Sequence, residues 1–219
     1  MKPLSTLLAL LLLLLTSACA LADRLPGSSA QPPASASGSV LFQDDFSNPL
    51  SGWDHVLSDG GSMDYDSGVY RFLVAAQNFN YWSTPKKRFT DTRVEVDTAK
   101  LGGPDSNRAG IVCRVNNDQF YFFVISSDGY YAVGRTNGLE SYLLGQDQMM
   151  PSPNIHTGVA VNHLRADCVG NTLTFYINGF PVSQVSDSTL ASGDVGLIAG
   201  AFEEGGVDII FDQFVVMQP

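Results

Sequence analysis

The sequence predicts an all-β protein, built as a two-sheet sandwich or a barrel. Three observations carry that expectation. The 219 residues include 21 Gly, 13 Phe and 8 Tyr. Aromatic and β-branched residues fit a pleated, half-buried surface, whereas few Lys and Glu are available for helices. Turn signals recur at short spacing: Asp66-Ser67-Gly68, Asn116-Asn117-Asp118, Asp128-Gly129, Asn137-Gly138, Gly170-Asn171 and Asn178-Gly179. Such residues tolerate the positive φ of tight hairpins. No segment keeps an apolar helical period over about three turns, and no repeat of about 20–50 residues marks a propeller or solenoid.

The N-terminus reads as an export signal. Residues 1–22 are MKPLSTLLALLLLLLTSACALA, with Lys2 ahead of an unbroken apolar run from Leu7 to Leu15. Small residues then follow, as signal peptidases require. Three readings stay open. Ala18-Cys19-Ala20 is an A-x-A site for free secretion. Thr16-Ser17-Ala18-Cys19 resembles a bacterial lipobox, with Cys19 as the lipidated residue and Thr16 where Leu is usual. Leu4 to Ala22 carries no charge and could serve as an uncleaved anchor. Residues 23–39 are rich in Ser, Ala, Pro and Gly. They have little to bury and suit an extended tether. The folded domain is expected over residues 40–219.

Strands are predicted at Val69–Ala75, Thr92–Ala99, Gly110–Asn116, Phe120–Ser126, Tyr130–Arg135, Val159–Cys168, Thr172–Ile177, Gly193–Ala199 and Val207–Val216. A two-residue turn at Asn117-Asp118 would place Arg114 opposite Tyr121 and Val112 opposite Phe123. A second, at Asp128-Gly129, would place Phe123 opposite Gly134. Side chains alternate between faces. Ile111, Cys113, Val115, Phe120, Phe122, Val124 and Val133 then form the core face. The opposite face holds Val112, Arg114, Asn116, Tyr121, Phe123, Ala132 and Gly134. Aromatic and polar groups around small residues there would suit a sugar ring. A slip of one residue would invert this assignment.

A turn at Val169-Gly170 would pair Leu164 with Phe175 and Ala166 with Leu173. Cys168 would share that apolar face, and His163, Arg165, Thr174 and Tyr176 the other. Cys113 and Cys168 are therefore both expected to face the core. With Cys19 lipidated they remain as an even pair outside the cytoplasm, either bridged or as two buried thiols. Val94 and Val96 point inward, with Arg93, Glu95 and Asp97 outward. If this strand neighbours Gly110–Asn116, those charges would join Arg114.

Several segments together resemble a known group. They are LFQDDFSNPLSGW, VYRF, RVEVD, GIVCRVNNDQFYFFVISSDGYY, NHLRADCVGNTLTFYINGFPV, GDVGLIAG and FDQFVV. The chain resembles bacterial extracellular domains of the concanavalin A-like lectin/glucanase superfamily. Within it, the similarity is to the 3-keto-disaccharide hydrolase and family-16 glycoside-hydrolase-like group, over about residues 40–217. The resemblance implies a jelly-roll sandwich of two antiparallel sheets with a concave face. It also implies that the segments around Phe46 and Phe211 pair near the ends of the domain.

Glucanase relatives carry Glu-x-Asp-x-Glu, or the same with one residue added, on one strand. Here Glu95-Val96-Asp97-Thr98-Ala99-Lys100 lacks the second Glu, so the general acid of a two-carboxylate hydrolase is missing. No Gly-x-Ser-x-Gly elbow is present. His55, His156 and His163 lack metal-ligand spacing. Asp64-x-Asp66-Ser67-Gly68 reads as a hairpin turn rather than a calcium loop. No cofactor is expected, although the relatives sometimes hold a structural calcium.

The formal net charge is −10, which argues against nucleic-acid partners. Membrane contact is expected only through the N-terminal lipid or signal. The leading expectation is a non-catalytic binding domain on the cell surface, or a secreted one, with carbohydrate as ligand. Its contacts would come from Arg114, Tyr121, Phe123, Asn116, Glu95, Asp97 and Trp82. The alternatives are a disaccharide- or glucan-acting enzyme and a protein-interaction module of the envelope.

Overall fold

The computed structural model describes residues 38–219, which carry strands and no α-helix. The expected signal, the lipidation site Cys19 and the tether up to Ser37 lie outside the described residues. In chain order the strands are β1 Val40–Asp44, β2 Val56–Ser58, β3 Gly61–Asp66, β4 Val69–Val74, β5 Asn80–Ser83, β6 Thr92–Gly102, β7 Asn107–Asn116 and β8 Gln119–Ile125. They continue as β9 Tyr130–Asn137, β10 Ser141–Leu143, β11 Met150–Pro151, β12 Val161–Val169, β13 Thr172–Ile177, β14 Phe180–Ser186, β15 Asp194–Ala201 and β16 Val207–Met217. Every strand expected from the sequence pattern is present. The unexpected ones are β1, β2, β3, β5, β10, β11 and β14, and several lie at sheet edges.

The strands form two antiparallel sheets. The larger has nine strands in the order β14-β13-β12-β6-β16-β4-β3-β2, with β1 also on β16. The smaller has seven in the order β10-β9-β8-β7-β15-β5, with β11 also on β9. Terminal pairing follows the expectation: Val40 lies opposite Met217 and Asp44 opposite Phe214. The entering chain turns at Phe46, which adopts φ 56° while its N–H donates to Asp44 Oδ1 at 2.8 Å. Phe46 then stacks on Tyr70 at 5.6 Å and meets Trp53 edge-on at 5.3 Å. Large aromatic side chains burying their area together repay that backbone strain.

Period-two alternation sends one face of each sheet inward. Val94 and Val96 on β6, Leu164 and Ala166 on β12, Leu173, Phe175 and Ile177 on β13, and Ile209 and Phe211 on β16 are all buried. They meet Ile111 on β7, Phe123 and Ile125 on β8, and Leu197 and Ala199 on β15. Each large side chain so buried contributes about 1.5–3 kcal/mol. Cys113 on β7 and Cys168 on β12 form a disulfide across the sandwich, with Cα atoms 6.9 Å apart. The bridge expected from their shared core-facing register is therefore present.

The register of β8 differs from the sequence expectation. The Asn117-Asp118 turn holds, with Asn116 opposite Gln119. The ladder then shifts between Cys113 and Asn116, so that Tyr121 faces Cys113, Phe122 faces Val112 and Phe123 faces Ile111. Arg114 sits at this bulge with φ 54°, and the extra residue displaces the pairing by one. The second turn also differs. Ser126 N–H donates to Tyr130 O at 2.7 Å and Gly129 N–H to Ser126 O at 2.9 Å. The loop therefore spans residues 127–129, and Gly129 takes the positive φ of 99° that such a loop needs. Phe123 consequently faces Val133, and Phe122 faces Gly134. Both changes add one residue beside β8, so this strand is turned over, and beyond the bulge Val115, expected on the core face, packs against the outer apolar cluster instead. Phe120, Phe122 and Val124 face outward, and Tyr121 and Phe123 face the core.

The β12–β13 hairpin shifts by two residues instead. Its turn is Gly170-Asn171, with Gly170 at φ 53°, and Leu164 faces Ile177 while Ala166 faces Phe175. An even shift keeps every side chain on its expected face.

Candidate functional site

The outer face of the smaller sheet combines an apolar floor with a polar end. One row across it reads Trp82, Ile198, Gly110, Val124 and Ala132. The next reads Gly196, Val112, Phe122, Gly134 and Leu143. Glycine is required at Gly134, where an added Cβ would lie 2.1 Å from the Phe122 ring. The Phe122 ring thus lies over Gly134, filling the space that a side chain would occupy. Val112, Phe120, Phe122, Val124, Ala132 and Ile198 form a second apolar cluster, with Trp82, Val115, Leu143 and Met149 packed against it. Trp82 is half-buried and tilts against Phe120 with ring centres 5.4 Å apart.

The polar end of this face is the row Asn80, Gly200 and Arg108. Arg108 Nη1 donates to Asn80 Oδ1 at 2.7 Å. Its guanidinium carbon lies 3.8 Å from the centre of the Phe202 ring. The segment carrying Phe202 is fixed by Asn78 N–H donating to Phe202 O at 2.6 Å. A cleft of about 580 Å³ adjoins this corner, lined by Asn78, Pro104, Ser106, Phe202, Glu203 and Glu204. Sequence reasoning found Trp82 and missed Asn80, Arg108 and Phe202. Only the alternation of β5 and β7 could have placed Asn80 and Arg108 with Trp82, and β5 was not anticipated.

The other expected ligand residues do not assemble on this face. Tyr121 and Phe123 are buried in the core because β8 is turned over. Tyr121 Oη donates to Asp187 Oδ1 at 2.6 Å and accepts from Leu190 N–H at 3.0 Å. Burial, with Asp187 beside it, raises the Tyr121 pKa. Arg114 is also buried. It donates to Leu190 O at 2.7 Å, to Gly170 O at 2.6 Å and to Asp91 Oδ1 at 3.3 Å. These contacts clamp the bulge to the β12–β13 turn. Asn116 Nδ2 donates to Ser192 O at 2.7 Å and its Oδ1 accepts from Arg88 at 3.1 Å. Asn116 also lines a cleft of about 380 Å³ with Asp118, Gln119 and Asn137.

Glu95 and Asp97 lie on the larger sheet, because β6 neighbours β12 and β16 rather than β7. They face outward as expected and converge on His163. His163 Nδ1 lies 2.7 Å from Asp97 Oδ1 and Nε2 3.5 Å from Glu95 Oε2. Glu95 above all, then Asp97, raise the His163 pKa against the opposing effect of burial. Arg165 stacks over Tyr176 at 4.2 Å and pairs with Asp167. Lys100, in place of a second Glu, is buried and bound to Gly103 O and Asp105.

Asp64 and Asp66 belong to a hairpin whose turn residues Ser67 and Gly68 have φ of 55° and 89°. Asp64 pairs with His55 and Asp66 with Arg71. Among the described residues no group of three or more His, Cys, Asp or Glu is arranged to hold a metal ion.

No family model matches the chain, and no curated protein matches its sequence. Solved structures do match. The carbohydrate-binding module CBM66 from Bacillus subtilis superposes with a TM-score of 0.62 at 14% identity, over 76% of this chain and 96% of that one. A Bacillus subtilis protein of unknown function with a galectin-like fold gives 0.62 at 15% identity, over 83% and 97%. A Bacteroides ovatus GH16 protein in complex with a G4G4G3G product gives 0.59 at 12% identity, over 81% and 100%. Likeness at these identities shows the fold alone, and the fold is an all-β jelly-roll sandwich of two antiparallel sheets.

Proposed function

We propose that this chain is a carbohydrate-binding domain that takes its ligand on the outer face of the smaller sheet and does not cleave it. The observation that carries this reading is the placement of half-buried Trp82 beside the Asn80–Arg108 pair on one sheet face. A half-buried indole offers a sugar ring a flat apolar contact at low entropic cost. A few convergent polar groups then fix its orientation. The presence of a carbohydrate-binding module among the structural matches supports the same reading. Glycoside cleavage has less support. Glu95 and Asp97 are on the opposite sheet, engaged with His163, and Lys100 stands where a second acid would be needed.

The Cys113–Cys168 bridge favours an oxidising compartment. With the N-terminal sequence, it supports export to the cell envelope, anchored through a lipid on Cys19 or released. The test is a glycan array with the purified protein, followed by titration of the best binder. Trp82→Ala is expected to weaken binding at least about tenfold, the loss of ~1.4 kcal/mol or more of stacking. Unchanged affinity in a folded Trp82→Ala protein would remove this face from consideration. Cleavage products in the titration would overturn the non-catalytic reading.

A further inference from the structure

Arg108 differs from the other partly or fully buried arginines of the described region. Arg71, Arg93, Arg114, Arg135 and Arg165 each have a carboxylate within 4 Å. Arg108 has none among the described residues, although it is half-buried. Burial without a counter-charge shifts its pKa downward. Arginine nevertheless stays protonated, so the fold carries a partly desolvated cation with no counter-charge among the described residues. Such an arrangement costs stability and calls for a purpose.

The guanidinium is also held in a defined orientation. Phe202 supports its plane at 3.8 Å, and Asn80 engages Nη1 at 2.7 Å. Gly200, between Asn80 and Arg108 in the row, leaves the path open: an added Cβ there would lie 1.9 Å from Asn80 Oδ1. Nε and Nη2 have no protein acceptor among the described residues and are not sealed from solvent. Together they form the edge of the guanidinium fork that matches a carboxylate with two parallel hydrogen bonds.

We infer that the sugar bound on this face carries a carboxylate, as a uronic acid does, and that Arg108 receives it. This deepens the carbohydrate-binding reading and rests on it. The net charge of −10 gives no long-range attraction for anions, so recognition has to come from this contact rather than from a basic surface. Exposed Glu203 and Glu204 line the adjoining cleft. They disfavour a densely charged polyanion and suit a ligand with an isolated acid group.

The experiment titrates the full chain with a glucuronic-acid-terminated oligosaccharide, its carboxyl-reduced neutral counterpart and a 6-sulfated neutral counterpart. The acidic sugar is expected to bind at least about tenfold more tightly than the reduced one, because the pair it forms with Arg108 is charge-assisted. Arg108→Gln should bring that ratio to about one, and Arg108→Lys should restore only part of it, because an ammonium lacks the fork. Comparing two ligands on the unaltered protein keeps the test valid even if a variant misfolds. Equal binding of the acidic and reduced sugars overturns the inference while leaving carbohydrate binding intact. Sulfated sugar binding as well as the uronate overturns the carboxylate assignment. Absence of binding to any glycan, here and on the array, overturns both.

Discussion

Truncating Arg114 tests whether the bulge that turns β8 over is held by its clamp. Arg114 is 3% exposed and adopts φ 54°. It donates to Leu190 O at 2.7 Å and to Gly170 O at 2.6 Å, with a longer contact to exposed Asp91. Hydrogen bonds from a charged donor are worth ~1.5–3 kcal/mol each. Against that stand the desolvation of the guanidinium, whose buried Nε has no partner among the described residues, and the entropy of ordering a long side chain. Arg114→Ala should therefore cost about 3 kcal/mol. Arg114→Gly loses the same contacts but relieves the left-handed backbone, worth ~1 kcal/mol. In an ordinary strand glycine is less stable than alanine by ~0.5–1 kcal/mol. Here the order should reverse. Urea unfolding at fixed pH, with the disulfide intact, measures both differences. A glycine variant less stable than the alanine variant would refute the strain argument. An alanine variant within about 0.5 kcal/mol of the parent would refute the clamp.

Two further outcomes follow from the sheets themselves. Replacing Cys113 and Cys168 by Ala opens a loop with a sequence separation of 55; chain entropy then predicts a loss of about 4 kcal/mol, read as a fall in the urea midpoint. His163, between Glu95 and Asp97 from β6, has a pKa raised above 6.5. Protonation therefore favours the folded state, so its contribution is complete below about pH 6.5 and fades as pH rises through the raised value. Its side chain is 46% exposed, so the effect is small. His163→Gln should flatten the fall in stability as pH rises above about 6.5 in urea titrations, and an unchanged slope would refute the assignment.

The fold was legible because long strands carry their own evidence. In β6, β12 and β13, polar and apolar residues alternate, and only one register buries the apolar set. The segment Phe120-Tyr121-Phe122-Phe123-Val124 offers no such contrast, since both of its faces are apolar. Its orientation was then decided by features with weak sequence signatures. One is a bulge at an arginine, a residue with no preference for positive φ. The other is a turn of three residues where Asp-Gly more often signals two. The candidate site suffered for the same reason. Trp82 was identifiable as an aromatic, but its polar neighbours come from β7 and from β5, a strand of four residues too short to establish alternation.

The inversion of β8 also changes what the smaller sheet is for. With Phe120, Phe122 and Val124 outward, this sheet is apolar on both faces. A sheet that only closes a sandwich needs one apolar face and solvates the other. The second face therefore has to be covered, and Trp82 contributes to that cover by leaning on Phe120. Its indole is held by packing before any ligand arrives, which lowers the entropy lost on stacking a sugar against it. Arg108 is fixed in the same way, between Phe202 and Asn80. Both proposed contact groups thus belong to strands of a disulfide-linked sandwich rather than to loops, so the proposed binding should proceed with little movement of the sheet.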